Sequence, residues 1–164
     1  MPIEIVMCDI TQMKVDAVVN AANTSLLGGG GVDGAIHRAA GPALLEACKK
    51  LNGCKTGDAK ITDGYKLPAR YIIHTPGPVY KDGKSGEADL LASCYRRCLA
   101  LAAEHGCKSV AFPCISTGIY GYPKKEAAGI AFGEIRTFLH KNGDFLHVYI
   151  VCFDKESFGI YKAL

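Results

Sequence analysis

A chain of 164 residues with 49% hydrophobic and 21% charged residues has the makeup of one ordinary globular domain, able to bury about 70% of the surface its unfolded form exposes. A formal net charge of +3, with no block of like charges, is too mild for a groove that grips nucleic acid by its phosphates. No apolar stretch reaches the length of a membrane span. The eight cysteines would build a disulfide framework in a small secreted protein. Here several sit inside apolar runs and no signal peptide is read at the start, so reduced, buried thiols in a cytoplasmic protein are expected. No Cys/His spacing suits a metal, and none is expected.

Residues 3–7 are apolar and β-branched between Pro2 and Asp9 and read as a first strand. Asp9, at the strand end, is placed to accept a hydrogen bond from an exocyclic amine such as that of adenine; from its position alone the plainer reading is a turn cap. Residues 17–20 form a second strand and deliver the stretch that organises the chain, Asn20 to Gly41, with four consecutive glycines at 28–31 and a helix-compatible run at 34–40. Glycines let a backbone turn through positive φ and bring its N–H groups against a ligand, and the following helix aims the positive end of its dipole at the same spot. No Lys or Arg occurs between Asn20 and His37. An anion held there is held by backbone amides, which suits a phosphate or diphosphate. Asn20 and Asn23 each donate and accept, and Asp33 sets a carboxylate at the helix entrance, where it can hold or deprotonate a water. The plainer alternatives are a flexible glycine loop and an Asp33 N-cap.

Residues 43–51 carry a helical period behind Pro42. Residues 58–62 and 70–74 read as strands around a turn-rich linker, with His74 at a strand end. His74 has no nucleophile to serve as general base and is expected to satisfy local backbone groups. Residues 81–87 are a polar, glycine-rich surface loop, and 88–105 form the longest clear helix, stopped by Gly106. Residues 109–112 are a buried strand. It ends in Pro113-Cys114-Ile115-Ser116-Thr117-Gly118-Ile119-Tyr120-Gly121-Tyr122-Pro123, which leads into a helix over 124–142. This second strand, glycine loop and helix repeats the first, and two such loops can grip both phosphates of a nucleotide diphosphate. Tyr120 is placed to lie against a sugar or to pack structurally. Cys114 invites a thiolate reading but has no base beside it. Residues 147–153 are the last strand and 155–163 a closing helix. Phe153, between them, offers a face for an aromatic base or for the core.

Taken together, Asn20-Ala21-Ala22-Asn23, Gly28 to Gly31 with Val32-Asp33-Gly34-Ala35-Ile36-His37, and Ser116-Thr117-Gly118-Ile119-Tyr120-Gly121 resemble the macrodomain family, most of all its MacroD-type branch. The likeness runs from Ile3 to the last helix. It implies a single domain over 1–164, a three-layer α/β/α sandwich around a mixed sheet, with ADP-ribose bound at the strand ends. By position it implies that Asp9 and Ile10 bind adenine, with Phe153 stacked on it. Gly30, Gly31, Val32 and the Ser116, Thr117, Gly118, Ile119, Tyr120 loop hold the diphosphate. Asn20 belongs to the same substrate site, Asn23 binds the distal ribose, and Asp33 assists hydrolysis. Cys8 stands where the family often has glycine, which tightens the adenine end.

The implied activity is release of acetate from O-acetyl-ADP-ribose, or of mono-ADP-ribose from acidic side chains of modified proteins, by a monomer using no metal or cofactor. A binding module for ADP-ribose without catalysis is the alternative, which the presence of both Asn23 and Asp33 disfavours. A thiol enzyme built on Cys114 would be sensitive to alkylation.

Overall fold

The computed structural model describes residues 2–164. Six strands, β1 (Ile3–Met7), β2 (Ala17–Ala22), β3 (Lys60–Asp63), β4 (Tyr71–Pro76), β5 (Ser109–Phe112) and β6 (His147–Cys152), form one sheet in the order β1-β6-β5-β2-β4-β3. Every pairing is parallel except that of the edge strand β3 with β4. Helices α1 (Gly31–Ala40) and α2 (Pro42–Leu51) cover one face; α3 (Glu87–Glu104), α4 (Lys124–Asn142) and α5 (Lys155–Lys162) cover the other. The result is the three-layer sandwich with a mixed sheet.

Strand β2 shows how the sequence builds this. Successive side chains of a strand point to opposite faces, and a strand covered on both faces is apolar throughout. Ala17 and Val19 enter the core shared with α3, α4 and α5, while Val18 and Ala22 enter the core shared with α1 and α2. The same alternation turns Asn20, wholly buried, towards α1 and α2. A buried amide there must find partners within the protein.

Because β1, β6, β5, β2 and β4 are mutually parallel, their carboxyl ends share one rim, the place where open α/β sheets form a ligand crevice. Several boundaries differ from expectation near that rim. Strand β2 continues to Ala22 because Ala21 and Ala22 pair with Thr75 and Pro76 of β4. A short 3-10 turn, Ile10–Gln12, follows β1, with Asp9 as its cap: Oδ1 accepts from Thr11 N at 3.0 Å and from Thr11 Oγ1 at 2.7 Å. Helix α1 starts at Gly31, earlier than the apolar pattern suggests, and its N-cap is Gly30. Asp33 is therefore not the N-cap but stands in the first helical turn. Strand β3 starts at Lys60 rather than 58, since the Asp58 carboxylate accepts from Ala59 N at 2.8 Å and turns the chain. Among the described residues, no helix is long and apolar enough to cross a membrane.

Candidate active site

A cleft of about 1000 Å³ opens along the rim, between the start of α1 and the segment after β5. Asp9, Ile10, Asn23, Gly30, Gly31, Val32, Asp33, Ser116, Thr117, Gly118, Ile119, Tyr120 and Phe153 all line it. Asn20 does not; it lies beneath the floor.

The first loop is stitched by Asn23. Its Oδ1 accepts from Ser25 N, Ser25 Oγ and Leu26 N at 3.1, 2.6 and 3.1 Å, and its Nδ2 donates to the Gly28 carbonyl at 2.9 Å. Leu26, at φ 63°, then anchors the loop by burying its side chain completely. The glycine run settles onto α1 because Gly34 lacks a Cβ: one added there would stand 2.5 Å from the Gly29 carbonyl oxygen. Gly30 makes no side-chain cap, so the first-turn N–H groups of α1 remain available to an anion.

The second loop is built differently. Ser116 is held at φ 68°, a left-handed conformation that costs a residue with a Cβ about 1–3 kcal/mol and tends to persist at functional sites. Tyr122 N donates to the Ser116 carbonyl at 2.9 Å and Gly121 N to Gly118 at 3.0 Å, which closes the bend from behind. Among the described residues, no backbone N–H of 117–120 has an acceptor in the protein. Two sets of unpartnered amides thus border one cleft.

Residues 19–131 match the family model described as Macro domain. The chain belongs to the Macro domain family. It is 52% identical over 166 residues to the O-acetyl-ADP-ribose deacetylase of Salmonella newport, spanning 99% of this chain and 93% of that protein. It is 58% identical over 156 residues to mouse (Mus musculus) ADP-ribose glycohydrolase MACROD2, spanning 94% of this chain but 33% of that longer one. Among solved structures, the Trypanosoma brucei macrodomain in complex with ADP-ribose superposes with a TM-score of 0.93 at 48% identity, over 98% of this chain and 68% of that one.

In this macrodomain the acidic centre is Asp33, 4% exposed. Its Oδ1 accepts from Asn20 Nδ2 at 2.9 Å, and His37, one helical turn on, brings Nε2 to 3.5 Å from the same oxygen. Oδ2 makes no hydrogen bond among the described residues. It lies beside the Gly29 backbone, where an added Cβ would stand 3.2 Å from Oδ2 and 3.3 Å from Asn23 Nδ2. Burial raises the pKa of Asp33, and the Asn20 hydrogen bond and the His37 ring pull it partly back. A carboxylate raised in this way is a better proton acceptor at neutral pH than an exposed one. Asn23, by contrast, already spends its carbonyl and one amide hydrogen on the loop. Its second N–H makes no hydrogen bond among the described residues.

At the other end of the cleft, Phe153 is 97% exposed because β6 stops at Cys152 and the chain turns at Asp154, whose Oδ1 caps α5 through Ser157 N at 2.7 Å. The core reading of Phe153 is thereby excluded. Asp9 caps the turn with Oδ1, and its Oδ2 makes no hydrogen bond among the described residues. Lys124, which also lines the cleft, is engaged by Glu156 and Asp154 at 2.7 and 3.5 Å. Cys8 lines the same end, exposed.

The other tempting groups resolve plainly. His74 bonds to side chains, Asn20 and Thr62, and not to backbone as expected. A hydrogen bond with Cys152, together with burial, pushes the Cys114 thiol well up, which opposes a thiolate nucleophile. Tyr120 lines the cleft, and its carbonyl accepts from Tyr80 N at 2.9 Å. The sequence reading missed His37 as the neighbour of Asp33, although i,i+4 spacing on a helix puts two such side chains together.

Two supports behind the second loop give expected outcomes. Gly77 fits because a Cβ there would overlap Ser116 Oγ and stand 2.6 Å from Ile115 Cγ2. Gly77→Ala is expected to lower stability by about 1–3 kcal/mol, as overpacking does, and to weaken ADP-ribose binding by shifting Ser116; melting curves and calorimetry read both. Glu87 accepts from the backbone N–H groups of Lys81, Asp82, Gly83 and Ser85, which orders the segment next to Tyr80, whose ring packs 4.9 Å from that of Tyr122. Those hydrogen bonds hold the Glu87 carboxyl down at about 2, against an ordinary 4.5. Its contribution is therefore complete above the ordinary value and is lost as pH falls towards about 2. The melting temperature of wild type should exceed that of Glu87→Gln near neutrality, and the gap should close in acid.

Proposed function

We propose that this macrodomain binds ADP-ribose and hydrolyses bonds at its distal ribose, releasing acetate from O-acetyl-ADP-ribose or mono-ADP-ribose from acidic side chains of proteins. The observation that carries the reading is Asp33: a buried carboxylate with one oxygen fixed by Asn20 and the other unclaimed beside Asn23, at the end of a cleft bordered by two sets of free amides. Similarity to a deacetylase and to a glycohydrolase supports it.

In this reading Asp9 takes the adenine amine, Ile10 its edge and Phe153 its face. Residues 30–32 and 116–120 hold the diphosphate, and Asn23 directs its remaining N–H at the ribose. Asp33 Oδ2 holds a water. As that water attacks the acyl carbon, one of its protons passes to Asp33, directly or with help from a phosphate oxygen. The bond between the acyl carbon and the ribose oxygen then breaks, and that proton is returned to the ribose oxygen, which leaves as a hydroxyl. The products are ADP-ribose and a carboxylic acid. Fixing water and ester in one geometry supplies most of the acceleration. All these residues come from one chain, so a monomer suffices, and eight free cysteines suit the reducing cytoplasm.

The test is a paired assay of acetate release from O-acetyl-ADP-ribose and ADP-ribose release from a mono-ADP-ribosylated protein, alongside calorimetry with ADP-ribose. Tight binding with turnover of either substrate is expected. Tight binding with turnover of neither would make the protein a binding module.

A further inference from the structure

The chain of hydrogen bonds that holds Asp33 does not stop at Asn20. The register of β2 on β4 sets Asn20 opposite His74, and both are fully buried. Asn20 Nδ2 lies 2.9 Å from Asp33 Oδ1 and 3.1 Å from His74 Nδ1. An ionised carboxylate only accepts, so the amide must turn its NH2 towards Asp33; its second hydrogen then meets Nδ1, which must accept as well. The imidazole is therefore neutral, with its proton on Nε2. That N–H donates to Thr62 Oγ1 at 3.0 Å, and the Thr62 hydroxyl donates onward to the Asp63 carbonyl at 3.1 Å. Cys48 Sγ, 3.9 Å from Nε2, is only a weak acceptor. Among the described residues, Asn20 Oδ1 has no hydrogen-bond partner, so the amide is oriented from its NH2 side.

We propose that His74, backed by Thr62, is a positioning residue for Asp33. As the Nε2–H tautomer it holds the Asn20 amide in the orientation that Asp33 also requires, and this keeps Asp33 Oδ1 occupied and leaves Oδ2 to the water. Desolvation and the nearby His37 push the His74 pKa down to about 3, so the ring stays neutral throughout the working pH range, and its hydrogen-bond partners select the tautomer. The proposal rests on the reading of Asp33 given above and assigns a role to an edge strand that does not touch the cleft.

The test is steady-state kinetics on O-acetyl-ADP-ribose with calorimetry on ADP-ribose. His74→Phe is expected to lower kcat by about 10- to 100-fold, the scale of a small misplacement of a catalytic group, with the Kd for ADP-ribose unchanged. His74→Gln, which carries both an acceptor and a donor, should recover most of that loss. Thr62→Val keeps the β-branched shape on β3 and should show a smaller loss of the same kind, together with loss of the pure Nε2–H pattern in the 15N spectrum of His74. Added to Asn20→Ala, His74→Phe should cost nothing more, because the two act as one unit.

Wild-type kcat in both His74→Phe and Thr62→Val, with Asp33→Ala inactive, would remove the relay and leave the carboxylate in place. A Gln variant no better than Phe, with kcat and affinity falling together, would reduce His74 to packing and overturn the proposal. If His74→Phe does not fold, an unaltered kcat and tautomer in Thr62→Val overturn it alone. Wild-type turnover in Asp33→Ala would instead sink the reading underneath.

Discussion

Replacing Asp33 by Ala should reduce kcat on O-acetyl-ADP-ribose by about 10² or more, the usual contribution of a positioned general base, while ADP-ribose still binds. The side chain is buried and meets the cleft through a single oxygen, whereas the amides proposed to hold the diphosphate belong to the backbone and survive the change. Asp33→Asn separates charge from shape: its amide group can keep one hydrogen bond with Asn20, yet turnover should remain low because no proton acceptor is left. The pH dependence follows from the same burial. Asp33 must be ionised to act and its pKa is raised above the ordinary 3.8, so activity should fall on the acid side with a midpoint above that value. The acid limb should be missing from the residual rate of Asp33→Ala. Asn23→Ala is expected to slow turnover on a similar scale, but for two reasons, since it removes the proposed ribose contact and unpicks four hydrogen bonds of the loop.

Phe153→Ala should weaken ADP-ribose binding by about 10- to 100-fold, the equivalent of the 1–3 kcal/mol that stacking of a base on an aromatic ring contributes. It should leave the melting temperature unaltered. At 97% exposure the ring contributes nothing to the core, so binding and stability separate cleanly. Calorimetry with ADP-ribose and a thermal melt provide both readouts. A lower melting temperature with unchanged affinity would place the ring in the fold rather than in the site.

What the chain revealed in advance was local. The glycine run, the strand before it and the helix after it lie within about twenty residues, and each has a propensity that points one way. The second loop was readable for the same reason. Helix start and Asp33 placement were off because glycine at the N-cap and Gly31 at the first helical position are poor signals; only the packed loop shows that the helix begins there. Asn20 looked like a ligand residue because it belongs to the motif, but strand alternation turns it away from the rim, and the partner that explains it, His74, is 54 positions distant. No local pattern encodes that pairing; the β2–β4 register creates it. Phe153 stood at the end of an apolar run, where core and ligand readings were equal, until the stop of β6 at Cys152 settled its exposure. Asn23 shows the reverse: it does line the cleft, but its sequence position did not reveal that most of its hydrogen-bonding capacity is spent on the loop it sits in.

A crystal structure with ADP-ribose bound to Asp33→Ala, together with the wild type, tests the central claim most directly. The account predicts adenine on Phe153, the diphosphate between the N–H groups of 30–32 and those of 117–120, and the distal ribose at Asn23, with a water against Asp33 Oδ2 in the wild type. A nucleotide with its adenine at Asp33, or a diphosphate that meets neither set of amides, would contradict it.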